Sequence, residues 1–274
     1  MEKLNIPIFQ VDAFSNQPFH GNPAAVCPLN EWLSDELLQH IAAENNLAET
    51  AFFVAENDGF RLRWFTPEIE VELCGHATLA SAWVLYHQYH YTKDSIKFYT
   101  RSGELIVTKQ ESLLCMDFPA KYAQEISTPN GLLEALGCTL DAIHGIYQTD
   151  DILIEFKHET SIKNLTPNFE QLKKIPTRGI ITTSRAEQFD FISRWFGPRV
   201  GVNEDSVTGS AHTTLIPYWS KKISKNKLYA EQGGQRKGQL FGELSEDGQR
   251  VYISGEACLF MHGQLTLPNN ITHK

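Results

Sequence analysis

The sequence has few cysteines, and their pattern marks neither a disulfide framework nor a zinc site. The five are odd in number and widely spaced, and no two form a C-x-x-C pair, so we predict reduced thiols and no bound metal. His87 and His90 lie three residues apart on a predicted helix, but the sequence offers no obvious third ligand beside them. The cysteines are Cys27, Cys74, Cys115, Cys138 and Cys258.

Positive charge and long apolar runs are also scarce. The chain has 24 Lys and Arg against 33 Asp and Glu, a formal net charge of −9. Such an acidic balance repels phosphate groups, so we expect neither nucleic acid nor an anionic membrane surface as a partner. No uncharged run reaches the ~18 residues of a membrane span, and no basic segment with an apolar core follows Met1. We therefore expect no export signal and a cytoplasmic location.

What is present is an ordinary globular composition. Hydrophobic residues make up 42% and charged residues 21%, which argues against a disordered or fibrous chain. At ~150 residues per domain, 274 residues correspond to two domains or one large one. The polar segment 119–129 is bracketed by prolines and lacks a period. We predict domains at 1–118 and 119–274, with the last strand able to pack back on the first domain.

Alternating and turn-bounded apolar runs predict many strands and few helices. In the first half, strands are predicted at 6–14, 50–54, 60–65, 96–100, 104–109 and 113–118, with a helix capped by Ser34 and another after Cys74. In the second half, strands are predicted at 151–156, 179–183, 189–196, 240–244, 251–254 and 257–260, with a helix near Gly209 and a turn at 233–238. This pattern predicts an α+β fold with antiparallel or mixed sheets.

One sequence pattern occurs once in each half. Arg63–Pro67 reads Arg-Trp-Phe-Thr-Pro, Arg194–Pro198 reads Arg-Trp-Phe-Gly-Pro, and each leads through an acidic loop to a helix that begins with glycine. From 75 to 86 and from 209 to 219 no residue carries a formal charge. A helix that is apolar nearly all round must be buried. We therefore predict two pseudo-repeated domains, each a sheet wrapped round a central buried helix.

The two helix starts are candidate anion-binding sites. Gly75 and Gly209 let the backbone N–H groups of a first helical turn approach a ligand closely, and those groups carry about half a positive charge. Two such starts facing each other across a cleft would hold a carboxylate. The alternative is that both glycines only permit tight turns from strand to helix.

Glu49 is the candidate acid/base. It lies in the apolar stretch Leu47–Phe53, where a carboxyl group is expected to be desolvated. Desolvation raises the pKa of a carboxyl toward neutral pH, as general acid/base catalysis requires. The alternative is that Glu49 lies at the start of a strand with its carboxylate exposed to solvent.

Other candidate side chains flank the two helix starts. His76 and Ser210 occupy equivalent positions just inside the helices, and Asp205 lies four residues before Gly209. His76 could instead be a satisfied core residue, and Asp205 a turn residue. Cys74 could act as a nucleophile or base if the helix that it precedes stabilised its thiolate. The matching residue is Thr208, so a racemase with one thiol on each face of the substrate is not supported.

Four ordered motifs spread over about residues 8–260 resemble those of the phenazine-biosynthesis PhzF-like isomerases. This resemblance implies the diaminopimelate-epimerase-like fold, an active site in the cleft between two similar domains, a homodimer and no cofactor. Ala48 and Ser206 depart from the pattern of many members, which have Ser and Pro there. The motifs lie at Val11–Phe14 with Phe19–Val26, at Leu47–Phe52, at Trp64–Pro67 through Cys74–Thr78, and at Glu204–His212.

The resemblance also implies roles for individual residues. Glu49 would move a proton, His76, Asp205 and Ser210 would bind the substrate and assist, and the helix starts at Gly75 and Gly209 would contact it. The hypothesis is an isomerase that shifts a proton on a small carboxylate-bearing molecule. The alternatives are a non-catalytic module that binds a small acid or another protein, and an amino-acid epimerase or racemase that uses Cys74.

Overall fold

The computed structural model describes residues 3–268, which form two compact units. The first contains the chain up to Asp117 and the residues after Ile253, and the second runs from Phe118 to Ile253. The division at 117/118 lies one residue before the predicted boundary. None of the helices in the described residues is long and apolar enough to cross a membrane.

Eighteen strands and six α-helices are assigned within the described residues. Up to the division they are β1 (Lys3–Ala13), β2 (Asn22–Leu29), α1 (Asp35–Asn45), β3 (Glu49–Glu56), β4 (Gly59–Phe65), β5 (Glu70–Val71), α2 (Gly75–His87), β6 (Ser95–Thr100), β7 (Gly103–Gln110) and β8 (Leu113–Pro119). Then follow β9 (Gln124–Glu125), α3 (Leu132–Leu136), β10 (Ile143–Gln148), β11 (Ile152–Phe156), α4 (Glu159–Lys163), α5 (Phe169–Leu172), β12 (Ile180–Arg185), β13 (Phe191–Gly197), β14 (Val202–Asp205), α6 (Gly209–Ile223), β15 (Lys227–Gly233), β16 (Lys237–Leu244), β17 (Arg250–Gly255) and β18 (Ala257–Pro268). Two 3-10 helices lie at Leu140–Ala142 and Pro198–Val200.

The two units pair their strands in the same order and sense. In the first, β1 and β2 are antiparallel, β2 and β3 parallel, β3 and β4 antiparallel, β4 and β6 parallel, and β6 and β7 antiparallel. In the second, β10, β11, β12, β13, β15 and β16 follow each other with the same alternation. The short strands β5 and β14 each pair with the strand before them. The predicted α+β repeat is therefore confirmed as a repeat of topology.

The central helices α2 and α6 are buried, as their freedom from charge predicts. Most residues of α2 from His76 to Tyr86 are inaccessible to solvent, and α6 is buried over most of Gly209–Ser220. α1 is by contrast a surface helix, with only Leu37, Leu38, Ile41 and Ala42 buried. Its predicted cap is also present, because Leu37 N donates to Ser34 Oγ at 3.3 Å.

The repeated Arg-Trp-Phe-x-Pro sequence forms the same clamp in both units. Arg63 Nε and Nη2 donate to the two carboxylate oxygens of Glu70, both at 2.8 Å, and the Arg194 guanidinium makes the same fork on Glu204 at 2.7 and 2.8 Å. Each fork ties the strand that carries it to the acidic loop that leads into the central helix. The clamps thus fix where α2 and α6 begin.

The structure differs from the predicted elements in several places. Strands β2, β10 and β15 were not among the predicted strands. The segment between Gly233 and Lys237 is a turn, as predicted. His90 lies beyond the end of α2 with a φ of 52°, so the prediction that it shares a helix with His87 is wrong.

Candidate active site

Glu49, Cys74 and His76 meet at one end of the first unit. Glu49 is the first residue of β3, Cys74 caps α2, and His76 is the second residue of that helix. Glu49 Oε2 lies 3.0 Å from His76 Nε2, and Cys74 Sγ lies 3.5 Å from His76 Nδ1. The side chains of His76 and Glu49 are only 6% and 16% exposed. The structure therefore brings together two of the predicted site residues, a carboxylate and an imidazole.

The amide of Asn22 contacts the other edge of the imidazole. Asn22 Nδ2 lies 3.2 Å from His76 Nδ1. In this orientation the amide donates to Nδ1, so a neutral ring carries its hydrogen on Nε2, facing Glu49. The 3.0 Å approach of Nε2 and Oε2 is close, but it is not aligned as a hydrogen bond. A second proton on the ring would require the Asn22 amide to turn its oxygen toward Nδ1.

Burial and charge act in opposite directions on this cluster. Burial lowers the pKa of His76, but negative charge beside it, on Cys74 whenever that residue is ionised and on Glu49, raises the pKa well above the ordinary value for histidine. Burial, reinforced by the charge of Glu49, raises the pKa of Cys74 despite the opposing effect of His76. Cys74 is therefore a thiol at neutral pH, which makes it a poor nucleophile or base.

The same three side chains could also hold a metal ion. Their donor atoms, one sulfur, one nitrogen and one oxygen, lie within 4.8 Å of one another. Zn²⁺ accepts all three donor types in its tetrahedral sites. The sequence did not predict this group, because Glu49 is distant from Cys74 in the chain and the two meet only through the packing of β3 beside α2.

Ser210 occupies the matching position in the second unit and contacts an arginine. Arg178 Nη2 donates to Ser210 Oγ at 3.1 Å. The same guanidinium forks onto Asp151, with Nε to Oδ1 at 2.8 Å and Nη2 to Oδ2 at 2.5 Å. Trp195 Nε1 also donates to Asp151 Oδ2, at 3.0 Å. Sequence reasoning did not single out Arg178.

Asp205 closes β14 and is bound into the start of α6. Thr208 Oγ1 donates to Asp205 Oδ2 at 2.5 Å, and Gln232 Nε2 donates to the Asp205 carbonyl oxygen at 3.0 Å. Gln232 also accepts from Thr208 N at 3.0 Å. Gln232 was not predicted as part of this group. These bonds fix the loop before Gly209, so Asp205 has a structural role in addition to any contact with a ligand.

Comparison with known proteins decides the family. The sequence pattern of the phenazine biosynthesis-like protein family matches residues 11–263. The chain belongs to this family. It is 56% identical over 264 residues, 96% of this chain and all of the relative, to a protein of Pseudomonas aeruginosa described as an uncharacterized isomerase. The predicted family, and with it an enzyme of isomerase type whose reaction is unassigned, is confirmed.

Solved structures of this family have the same fold. A PhzF family protein from Enterococcus faecalis is 42% identical and superposes with a TM-score of 0.92, covering 96% of this chain and 99% of the other. A hydroxyproline epimerase from Agrobacterium vitis superposes with a TM-score of 0.62 at 9% identity, covering 98% and 94% of the two chains. At that identity the second likeness concerns the fold alone. The predicted epimerase-like fold is confirmed.

Proposed function

We propose that this PhzF-like protein is a cofactor-independent isomerase that shifts a proton on a small carboxylate-bearing molecule, with Glu49 as the general acid/base. One observation supports this role above the others. Glu49 Oε2 lies 3.0 Å from the buried His76 Nε2, beside the N-terminus of α2. The Glu49 side chain is 16% exposed, so a proton that its carboxylate takes from carbon can exchange with solvent before the carboxyl group returns it.

The proposed step moves one proton and changes no oxidation state. The Glu49 carboxylate removes a proton from carbon, so a C–H bond breaks and a carboxyl O–H bond forms. The electron pair passes into the conjugated system of the substrate, and the carboxylic acid, whose proton can exchange with solvent, then delivers a proton to another carbon. His76, whose pKa its anionic neighbours raise, can donate toward the negative charge that develops on the substrate.

We further propose that the helix starts at Gly75 and Gly209, with Ser210, bind the carboxylate, and that Asp205 assists in binding the substrate. Two points support this. Helix N-termini favour anions, and the family resemblance implies that these residues contact the substrate. The homodimer and the cytoplasmic location remain predictions of the same resemblance and of the sequence.

An epimerase that uses Cys74 is the rival within enzymes. It requires a thiolate, whereas burial and the charge of Glu49 raise the pKa of Cys74. It also requires a second base, and the residue that caps α6 in the place of Cys74 is Thr208, whose hydroxyl donates to Asp205. Both observations favour the single-base mechanism.

Exchange of hydrogen with solvent distinguishes the enzyme from a passive binding module. The protein is incubated in D₂O with a library of small unsaturated carboxylic acids, and the acids are analysed by mass spectrometry. We expect carbon-bound deuterium in at least one acid with the unaltered protein. Glu49→Gln should slow this incorporation by at least ~10²-fold, the usual contribution of acid/base catalysis.

Glu56→Gln is the matched control, because Glu56 ends the strand that Glu49 begins and pairs with Arg61 in solvent. It should leave the rate unchanged. Incorporation by Glu49→Gln at the unaltered rate would refute the role of Glu49. The absence of incorporation with every acid would favour the binding module. Treatment with EDTA before the assay tests the metal alternative, since a loss of activity that Zn²⁺ restores would overturn cofactor independence.

A further inference from the structure

Strand register shows which residue of the second unit stands where Glu49 stands in the first. Thr50 of β3 pairs with Phe65 of β4, and Ile180 of β12 pairs with Phe196 of β13, the same phenylalanine of the repeated sequence. The residue before Thr50 is Glu49, so its counterpart is Gly179. A Cβ atom on Gly179 would lie 2.4 Å from the Trp195 ring, so this position cannot carry a side chain.

The next residue back along the chain is Arg178, and it makes the contact that Glu49 makes in the first unit. In the first unit the side chain at the start of the strand meets the second residue of the central helix, Glu49 to His76, at 3.0 Å. In the second unit Arg178 meets the second residue of α6, Ser210, at 3.1 Å. The repeat therefore puts an acid and an imidazole at one helix start, and a cation and a hydroxyl at the other.

The positive charge of Arg178 is fixed by a buried carboxylate, and its side chain remains partly exposed. Asp151, whose side chain is only 3% exposed, accepts a two-point fork from Nε and Nη2, and the Trp195 indole donates to the same carboxylate. Within residues 3–268 these contacts and the one to Ser210 use Nε and Nη2, so Nη1 keeps its hydrogens for a ligand. The Arg178 side chain is 41% exposed, so a small molecule can reach it.

The hydroxyl of Ser210 is oriented by the same contact. Because Arg178 Nη2 donates to Ser210 Oγ, the oxygen acts as the acceptor and its own hydrogen is available to a second acceptor. Arg178 and Ser210 thus present hydrogen-bond donors side by side at the start of α6, where helix N–H groups also favour negative charge. A carboxylate fits this set of donors better than a neutral or a cationic group does.

We propose that Arg178, with Ser210, is a carboxylate anchor in the second unit of this protein. The inference rests on the proposed function for its substrate class. It adds a residue, Arg178, that the family resemblance does not supply. Arg178 also acts as a positioning residue for the Ser210 hydroxyl.

The test is binding of simple probes, which needs no turnover. Benzoate and propionate, with benzamide as the neutral control, are titrated into the full chain by calorimetry. We expect saturable binding of at least one carboxylate and none of benzamide. Arg178→Lys, which keeps the charge but loses the fork, should weaken carboxylate binding by at least about tenfold. Arg185→Lys is the matched control, because Arg185 lies at the other end of β12 and is exposed, and it should bind as the unaltered protein does.

Removal of Arg178 alone leaves Asp151 buried without its cation, which can prevent folding. The double variant Arg178→Met/Asp151→Asn removes both charges, and it should fold and lose carboxylate binding. Unchanged binding by this folded double variant would overturn the proposal. The absence of saturable carboxylate binding to the unaltered protein would overturn it as well.

The two proposals fail separately. Glu49→Gln should still bind the carboxylate probe, because Glu49 lies in the other unit. If this variant loses turnover while the double variant binds normally, the anchor is wrong and the acid/base stands. If it keeps turnover while the double variant loses binding, the acid/base is wrong and the anchor stands.

Discussion

The two units share a scaffold and differ in the side chains at its functional end. Both use an arginine fork before the central helix. In both, the carbonyl oxygen of the residue that caps this helix is contacted by the side chain four residues later in the chain. Thr78 Oγ1 donates to Cys74 O at 2.6 Å, and His212 Nδ1 contacts Thr208 O at 2.9 Å. The repeat therefore preserves the groups that hold the helix in place, and it varies the residues that face a ligand.

The two forks are expected to differ in how much stability they contribute. Arg194 also donates to the carbonyl oxygens of Ile162 and Leu165, and its side chain is more buried than that of Arg63. Arg194→Met should lower the free energy of unfolding by about 3–5 kcal/mol, because it leaves a half-buried carboxylate without its partner. Arg63→Met should cost about 1–3 kcal/mol, since Glu70 keeps its contact with Arg101.

Urea unfolding of both variants, with the exposed Arg199→Met as control, measures this difference. Equal losses for the two forks would show that the additional carbonyl contacts of Arg194 contribute nothing. If Arg199→Met lowered the free energy of unfolding as much as Arg63→Met does, the Arg63 fork would contribute no more than an exposed arginine.

His76 of α2 and His212 of α6 are expected to affect the free energy of unfolding in opposite ways as the pH changes. Burial lowers the pKa of His212 to about 4, so the unfolded chain binds its proton first as the pH falls. The stability that His212 contributes is complete above pH ~6.5 and declines toward pH 4, by on the order of 3 kcal/mol. The pKa of His76 is raised, so its contribution is complete below pH ~6.5 and declines as the pH rises through the folded value.

Unfolding free energies between pH 4 and 9 test both signs. His212→Asn should flatten the acid limb, because the amide cannot take up the proton that the unfolded histidine binds. His76→Gln should flatten the limb above pH 6.5. If a variant's plot of unfolding free energy against pH ran parallel to that of the unaltered protein, the histidine replaced in it would have the same pKa in the folded and unfolded chains.

The sequence predicts the scaffold well because its causes are local and repeated. Freedom from charge predicts burial of α2 and α6, alternation predicts β4, and apolar strand-like runs predict β3 and β12. The contacts of the site are a different matter. That Glu49 meets His76 follows from the packing of a strand beside a helix, which no local pattern encodes. Arg178 was missed because Ile180 and its partner Phe196 are one residue further apart than Thr50 and Phe65, so the halves do not align without a gap.

Cys74 should matter least for turnover. Its thiol is protonated at neutral pH, so Cys74→Ser should change the deuterium incorporation rate by no more than about threefold. Cys138→Ser, at a half-buried thiol, is the control. A loss of ~10²-fold in Cys74→Ser alone would favour the epimerase with a thiol base over the glutamate.

The most direct test of the roles of Glu49 and Arg178 is steady-state kinetics of Glu49→Gln and Arg178→Lys side by side, on the acid that the deuterium screen identifies. We expect that Glu49→Gln lowers kcat by at least ~10²-fold with little change in KM, and that Arg178→Lys raises KM by at least about tenfold while kcat falls less. A rise in KM without loss of kcat in Glu49→Gln, or a loss of kcat at unchanged KM in Arg178→Lys, would contradict these roles.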